Sequence, residues 1–188
     1  MTLTLEEQAQ AILGNATWEQ KTRAVQLRQY KVGEAPKRWS DRLRNDLTLV
    51  SVNFEPQLQG NKNDCVVEFS VIVEEYMCNG WDIAHGGMLT TLLDYTTSFS
   101  IPLYLTDPSW ASTGLSLSLS INLLSPATRG DKLRVVVRTK AGGKRTATVA
   151  CEIWGPRGLV ATGNHVKMIP QVRPPSEVVV PLPPPVKL

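Results

Sequence analysis

A strict alternation of aliphatic and polar residues at positions 115–123 constrains the fold more than any other feature of the chain. Every odd position from Leu115 to Leu123 is Leu or Ile, and every even position is Ser or Asn. Successive side chains of a β-strand point to opposite faces, so this segment is predicted to be a strand with one apolar face. The chain is therefore expected to contain a sheet that is covered on one side.

Further strand-like segments lie on both sides of this one. Two precede it, and the polar turn residues between them predict a hairpin. Three follow it, and glycine-rich turns separate them, so they predict an antiparallel meander. These five segments are residues 47–54, 65–77, 132–140, 145–154 and 159–168.

One long helix is predicted between the two groups of strands. Gly86 and Gly87 open a stretch in which large apolar side chains recur at helical spacing up to about Tyr104, and the helix is expected to end near Pro102. The order of two strands, one helix and four strands in antiparallel succession predicts an α+β fold. In this fold a curved sheet wraps around a central helix.

The two ends of the chain differ from the α+β pattern of residues 47–169. Residues 1–46 predict short helices joined by turns, with a capping box at Thr4 and Glu7, and are expected to form a helical extension over the main domain. Residues 170–188 hold seven of the thirteen prolines and predict an extended tail.

Composition argues against several classes of protein. The formal net charge is only +3 and the basic residues are scattered, so no nucleic-acid partner is expected. No apolar run approaches the ~18–20 residues of a membrane span, so none is expected. Three cysteines without a CxxC motif and only two histidines argue against a metal site, and no cofactor is expected. We expect a cytoplasmic or mitochondrial location.

Residues 79–94 combine side chains that could carry out chemistry. Asn79 lies six residues before His85, Gly86 follows His85 directly, and Asp94 lies nine residues after His85. A helix N-terminus presents unpaired N–H groups and the positive end of a dipole, and glycine allows a carbonyl group to approach closely. Gly86 is therefore a candidate donor to an oxygen that gains negative charge. Asp94 falls inside a predicted buried helix, where an unpaired carboxylate is costly.

This segment resembles the signature of the PaaI-like branch of the hotdog-fold acyl-CoA thioesterases. The resemblance extends through the strand and Ser-Pro turn at 114–126 and covers about residues 47–169. It implies a hotdog fold, hydrolysis of an acyl-CoA substrate, a place in lipid metabolism, and assembly as a homodimer or a dimer of dimers. The resemblance also implies that each site is shared between two subunits, with the acid of one facing the Asn and Gly of the other.

The resemblance assigns roles to individual residues. It implies that Asp94 acts as base or nucleophile, that Gly86 and Asn79 polarise the carbonyl group, and that Ser116 helps to hold the attacking water. Ser118 and Ser120 are predicted to share the strand face of Ser116, so a shift of one step in the alignment would exchange their roles. The expected substrate-binding residues are His85, Gly87, Arg129, Lys144 and Arg145.

Alternative roles for two histidines and alternative functions for the chain remain open beside these assignments. His85 is expected to bond near the helix start rather than to shuttle protons, and His165 is most simply a polar strand residue. Release of an acyl or polyketide chain from a carrier protein is an alternative activity. A non-catalytic acyl-CoA-binding or assembly module is a second alternative. The sequence leaves the acyl chain length open.

Overall fold

The computed structural model describes residues 3–30, 41–57, 62–105, 110 and 113–169. The proline-rich tail lies outside these residues. The helices are α1 (Leu5–Ala11), α2 (Trp18–Tyr30), α3 (Asp41–Asp46) and α4 (Gly86–Tyr104), with a short 3-10 helix at Glu75–Met77. The strands are β1 (Thr48–Pro56), β2 (Asn63–Ile72), β3 (Leu115–Leu123), β4 (Lys132–Gly142), β5 (Thr146–Gly155) and β6 (Gly158–Met168).

The six strands form one antiparallel sheet in the order β1-β2-β4-β5-β6-β3. The predicted hairpin and meander are confirmed. The predicted succession of four strands holds only for β4–β6, because β3 pairs with β6 at the edge and β4 pairs with β2. The connection after β3 explains this difference. Ala127 accepts a hydrogen bond from Ala84 and Asp131 accepts one from Val73, which returns the chain to the end of β2.

Helix α4 packs against one face of the sheet, as the sequence predicts. Leu92 and Leu93 are fully buried, and the Phe99 ring meets Phe69 of β2 edge-on, with ring centroids 5.3 Å apart. Burial of each such side chain contributes about 1.5–3 kcal/mol to folding. Pro102 lies in the last turn of α4, and the helix ends as Leu105 N–H donates to the Ile101 carbonyl group.

The segment that follows α1 lies along β1, at one edge of the sheet. The capping box at Thr4 and Glu7 is present. After α1, the main chain of Leu13 exchanges hydrogen bonds with β1, donating to Val50 and accepting from Val52. These bonds protect the edge of β1, so within the described residues the open edge of the sheet is β3. No helix in the described part of the chain is long and apolar enough to cross a bilayer.

Candidate active site

The turn before α4 is fixed by the side chain of Asn79. Its Oδ1 accepts hydrogen bonds from the backbone N–H groups of Trp81 (2.9 Å) and Ile83 (3.4 Å). Its main-chain N–H donates to the Ile83 carbonyl group at 2.8 Å. The amide oxygen of Asn79 is therefore engaged, and the described residues supply no acceptor for its NH2 group. Asn79 can offer that group to a ligand.

In the first turn of α4, the amide of Gly87 is hydrogen-bonded and the amide of Gly86 has no acceptor among the described residues. The His85 ring caps the helix, because its Nδ1 accepts from Gly87 N–H at 3.0 Å. The expected structural role of His85 matches this geometry, and the Gly87 amide is occupied by it. No described residue accepts a hydrogen bond from the Gly86 amide. Of the two glycines, Gly86 therefore provides the donor for an approaching oxygen.

A larger side chain at position 86 would have to displace the side chain of Leu123, which is 54% exposed. A Cβ atom at this position would lie 2.7 Å from Cδ1 of Leu123, the last residue of β3. Glycine therefore allows the start of α4 and the end of β3 to approach each other. The same absence of a side chain leaves the Gly86 amide open to a ligand.

Asp94 lies in the middle of α4 and is less buried than the sequence predicts. Its side chain is 50% exposed, whereas the neighbouring Leu92 and Leu93 are fully buried against the sheet. The prediction of a carboxylate embedded in apolar surroundings is thus wrong for the single chain. Asp94 lies on the side of α4 that faces His165 of β6. Its Oδ1 lies 3.7 Å from His165 Nε2.

His165 of β6 is the functional candidate that the sequence analysis missed. The side chain is fully buried between α4 and the sheet. Its Nδ1 lies 2.7 Å from Thr97 Oγ1, and its Nε2 lies 2.8 Å from Ser116 Oγ. Burial, reinforced by the nearby charge of Lys167 and opposed by Asp94, lowers the pKa of His165 to about 4. The imidazole is therefore neutral at pH 7.

Lys167, two residues further along β6, carries a second buried polar group. Only 4% of this residue is exposed, and its Nζ donates to Ser98 Oγ at 2.7 Å. Burial lowers the pKa of Lys167, and the negative charge of Asp94 opposes this change. His165 and Lys167 lie at alternate positions of β6 and so share its inner face. This period-two spacing is the sequence signal that could have identified them.

A β-bulge in β3 places Ser116 beside His165. The register pairs Ser116 with Lys167 but Ser118 with Val166, so Leu117 is an extra residue in the ladder. The bulge reverses the alternation, and Ser116 lies on the inner face with His165. Ser118 and Ser120 lie on the other face, so the prediction that they share the face of Ser116 is wrong. The structure thus separates Ser116 from the two serines that could have taken its place.

Comparisons with known proteins agree with this architecture. Residues 82–162 match the sequence model of the thioesterase superfamily, although no curated protein sequence gives a significant match. Thioesterase superfamily member 2 from Mus musculus is similar in structure, with 24% identity, a TM-score of 0.61, and coverage of 83% of this chain and 100% of that chain. The chain therefore has a hotdog fold.

Two bacterial structures are also similar to this chain. The Escherichia coli PaaI protein from the phenylacetic acid degradation operon is 18% identical, with a TM-score of 0.57 and coverage of 79% of this chain and 94% of that chain. A hypothetical thioesterase from Streptococcus pneumoniae, solved with coenzyme A, is 22% identical. Its TM-score is 0.50, with coverage of 65% of this chain and 88% of that chain.

The three expected phosphate-binding cations, Arg129, Lys144 and Arg145, are not brought together within one chain. Arg129 lies near the start of α4, where its guanidinium group is 3.7 Å from Asp82 and 3.9 Å from Glu75. Lys144 and Arg145 lie in the hairpin between β4 and β5, which packs near the other end of α4 through Gly142 and Leu105. The 19-residue helix separates these two positions by about 28 Å.

The candidate oxyanion donor and the candidate base are also separated within one chain. Asp94 follows Gly86 by eight residues on the same helix, which corresponds to about 12 Å along its axis. A reacting carbonyl group must lie about 3 Å from both its donor and its attacking group. Gly86 and Asp94 of one chain are therefore too far apart to contact one carbonyl group directly. Within the described residues, no cluster of three or more potential metal ligands is present.

Proposed function

We propose that the chain is an acyl-CoA thioesterase whose active sites form between two copies. Asp94 of one copy acts as base or nucleophile, and the Gly86 amide and the Asn79 side chain of the other copy stabilise the oxyanion. The observation that carries this proposal is the Asp94 carboxylate, half-exposed beside the Ser116–His165 pair within a thioesterase-superfamily fold.

The proposed residues supply the groups that thioester hydrolysis requires. A water molecule bonds to the carbonyl carbon while its proton passes to Asp94, and the carbonyl oxygen becomes an oxyanion that accepts from the Gly86 amide. The intermediate then collapses, the carbon–sulfur bond breaks, and the leaving thiolate takes the proton from Asp94. If Asp94 attacks directly, an acyl-enzyme anhydride forms first and water then hydrolyses it.

The open edge of the sheet supports a homodimer or a dimer of dimers. Strand β3 has one unpaired side among the described residues, and aliphatic side chains at both of its ends are more than half exposed. These side chains are Leu115, Leu117, Leu123 and Leu124. An exposed apolar edge strand is a surface on which another chain can pair. A partner at this edge would lie close to Asp94 of the first chain.

Coenzyme A is proposed as the acyl carrier. The relative from Streptococcus pneumoniae was solved with coenzyme A, and the present chain offers Arg129, Lys144 and Arg145 as possible partners for its phosphates. These cations lie at the two ends of α4, so in a multimer they could reach a ligand from different subunits.

The decisive experiment measures hydrolysis of a panel of acyl-CoAs and acyl-carrier-protein thioesters by the purified full chain. Asp94→Asn is expected to lower kcat by about 10³-fold, because the neutral amide can neither accept the water's proton nor attack the thioester. The matched control is Glu152→Gln, which removes an acid from the outward-facing side of β5 and is expected to leave kcat unchanged.

The results of these assays distinguish the proposed function from the two alternatives. Turnover of carrier-protein substrates alone would favour release of carrier-bound chains. Binding of acyl-CoA without turnover by the unmodified chain would indicate a binding module. Full activity in Asp94→Asn, with its oligomeric state unchanged in sedimentation, would contradict the role given to Asp94.

A further inference from the structure

The hydroxyl group of Thr97 fixes which nitrogen of His165 carries the proton. Thr97 Oγ1 lies 2.7 Å from the Leu93 carbonyl oxygen and 3.1 Å from that of Asp94, so the backbone of α4 accepts its single proton. The same oxygen lies 2.7 Å from His165 Nδ1 and is therefore free only to accept. Nδ1 of His165 accordingly carries the proton and donates it to Thr97.

This tautomer determines the orientation of the Ser116 hydroxyl group. With the proton on Nδ1, the Nε2 atom of neutral His165 is an acceptor, and Ser116 Oγ–H donates to it at 2.8 Å. The only proton of Ser116 is then committed to His165, and its lone pairs remain for a ligand. The 3.7 Å between Nε2 and Asp94 Oδ1 agrees with this assignment, because an unprotonated nitrogen has nothing to donate to a carboxylate.

We propose that His165 is a positioning residue that makes Ser116 an obligate hydrogen-bond acceptor and thereby orients the water that Asp94 activates. This inference rests on the proposed thioesterase function. A water molecule between Asp94 and Ser116 donates one proton to the carboxylate and the other to Ser116 Oγ. Its oxygen lone pair is then directed away from both, toward the thioester carbonyl carbon, which is the geometry of general-base attack.

A serine without this constraint would act differently. A free hydroxyl group rotates, and beside a carboxylate its best partner is the carboxylate itself. Ser116 would then donate to Asp94 and occupy the oxygen that should receive the proton of water. The Thr97–His165–Ser116 chain prevents this competition by holding the serine proton on the far side.

The tautomer of His165 can be measured directly in the wild-type protein. The chain contains only two histidines, so the imidazole ¹⁵N–¹H correlation spectrum holds two sets of signals, and the set lost in His165→Gln belongs to His165. We expect the pattern of a neutral imidazole protonated on Nδ1 at pH 7. A pattern with the proton on Nε2, or a doubly protonated ring, overturns the inference whatever the activity of the protein.

A pair of isosteric variants tests the effect on catalysis. Thr97→Val removes the acceptor for Nδ1–H and is expected to shift the proton to Nε2 and to lower kcat by about 10²-fold, with KM little changed. Thr96→Val is the matched control, because Thr96 is equally buried and donates to Leu92 in the same way. We expect it to retain both the tautomer and kcat. Wild-type kcat in a folded Thr97→Val variant overturns the inference.

Rescue by a conservative substitution separates positioning from packing. In His165→Gln the side-chain oxygen can take the place of Nε2 and accept from Ser116, whereas His165→Leu offers no acceptor. The glutamine variant is expected to retain at least tenfold more kcat than the leucine variant at equal folded fraction. Equal activity in the two variants contradicts the inference, and this comparison also decides it if Thr97→Val does not fold.

Failure of the inference and failure of the proposed function give different results. A folded wild-type chain that hydrolyses no thioester defeats the proposed function, and the inference falls with it, even when His165 is protonated on Nδ1. An active wild-type chain with the proton on Nε2 defeats the inference alone.

Discussion

At the scale of single residues, His165 links stability to pH. The imidazole is fully buried, and Lys167 on the same strand adds a positive charge that disfavours its protonation. Asp94 opposes this effect, but burial outweighs it, so the pKa of His165 falls to about 4. Thr97 and Ser116, the other groups that contact the ring, are uncharged. The folded state therefore favours the neutral ring.

The free energy of unfolding is expected to fall as the pH is lowered from about 6.5 to about 4. In this range the unfolded chain binds a proton at His165, with its ordinary pKa of about 6.5, while the folded chain does not. The loss is on the order of 3 kcal/mol, and above pH 6.5 this contribution is fully present. Urea denaturation at several pH values measures it. His165→Gln should show a flatter profile, and equal slopes in both proteins would contradict this account.

At the scale of secondary-structure elements, Gly163 allows α4 and β3 to pack closely on β6. A Cβ atom at this position would collide with the Leu93 side chain on one side and with the backbone oxygen of Ser120 on the other. The backbone of β3 is held by its ladder with β6 and cannot retreat without loss of hydrogen bonds. The absence of a side chain at residue 163 therefore allows α4 and β3 to pack against β6 at this point.

Gly163→Ala is expected to destabilise the fold by about 3 kcal/mol, because overpacking against backbone atoms leaves no flexible group to yield. Gly143→Ala is the matched control, since a Cβ atom at Gly143 meets nothing within 4 Å. Thermal unfolding of both variants measures the difference. A melting temperature for Gly163→Ala equal to that of the control would show that β3 and β6 are less tightly coupled than the structure indicates.

The elements that the sequence predicted correctly are those whose signals are local. The spacing of Leu92 and Phe99 specifies α4, and the turn at Gly142 and Gly143 specifies the hairpin between β4 and β5. The position of β3 beside β6 depends on contacts distant in sequence. Its bulge at Leu117 leaves no mark in the strict alternation of residues 115–123.

The candidate site was predicted in part for the same reason. The helix start at Gly86 and the acid at Asp94 follow from one continuous motif. His165 was missed because its buried face is indicated only when it is taken together with Lys167, two residues later, and its neighbours across the sheet depend on the register. Its contact with Ser116 further depends on the bulge, which reverses the face of that serine.

At the scale of the whole molecule, the exposed β3 edge is expected to control assembly. Leu117→Lys places a charge on this edge and is expected to convert the protein to a monomer and to abolish thioesterase activity. Ile72→Lys is the matched control, because Ile72 is similarly exposed (50%, against 56% for Leu117) but lies at the end of β2. Analytical ultracentrifugation and circular dichroism check mass and fold. A folded, active monomer would contradict a site shared between copies.

A mixed dimer provides the sharpest test of the shared site. Asp94→Asn removes the base, while Asn79→Asp removes the donor NH2 group and keeps the carboxylate oxygen that accepts from Trp81 and Ile83. If each site takes Asp94 from one chain and Asn79 from the other, a dimer of the two variants contains one intact site and one doubly altered site. Two-tag purification of co-expressed variants should then yield about half of wild-type kcat per dimer. Sites built within one chain would all carry one defect, and the mixed dimer would be as inactive as its parents.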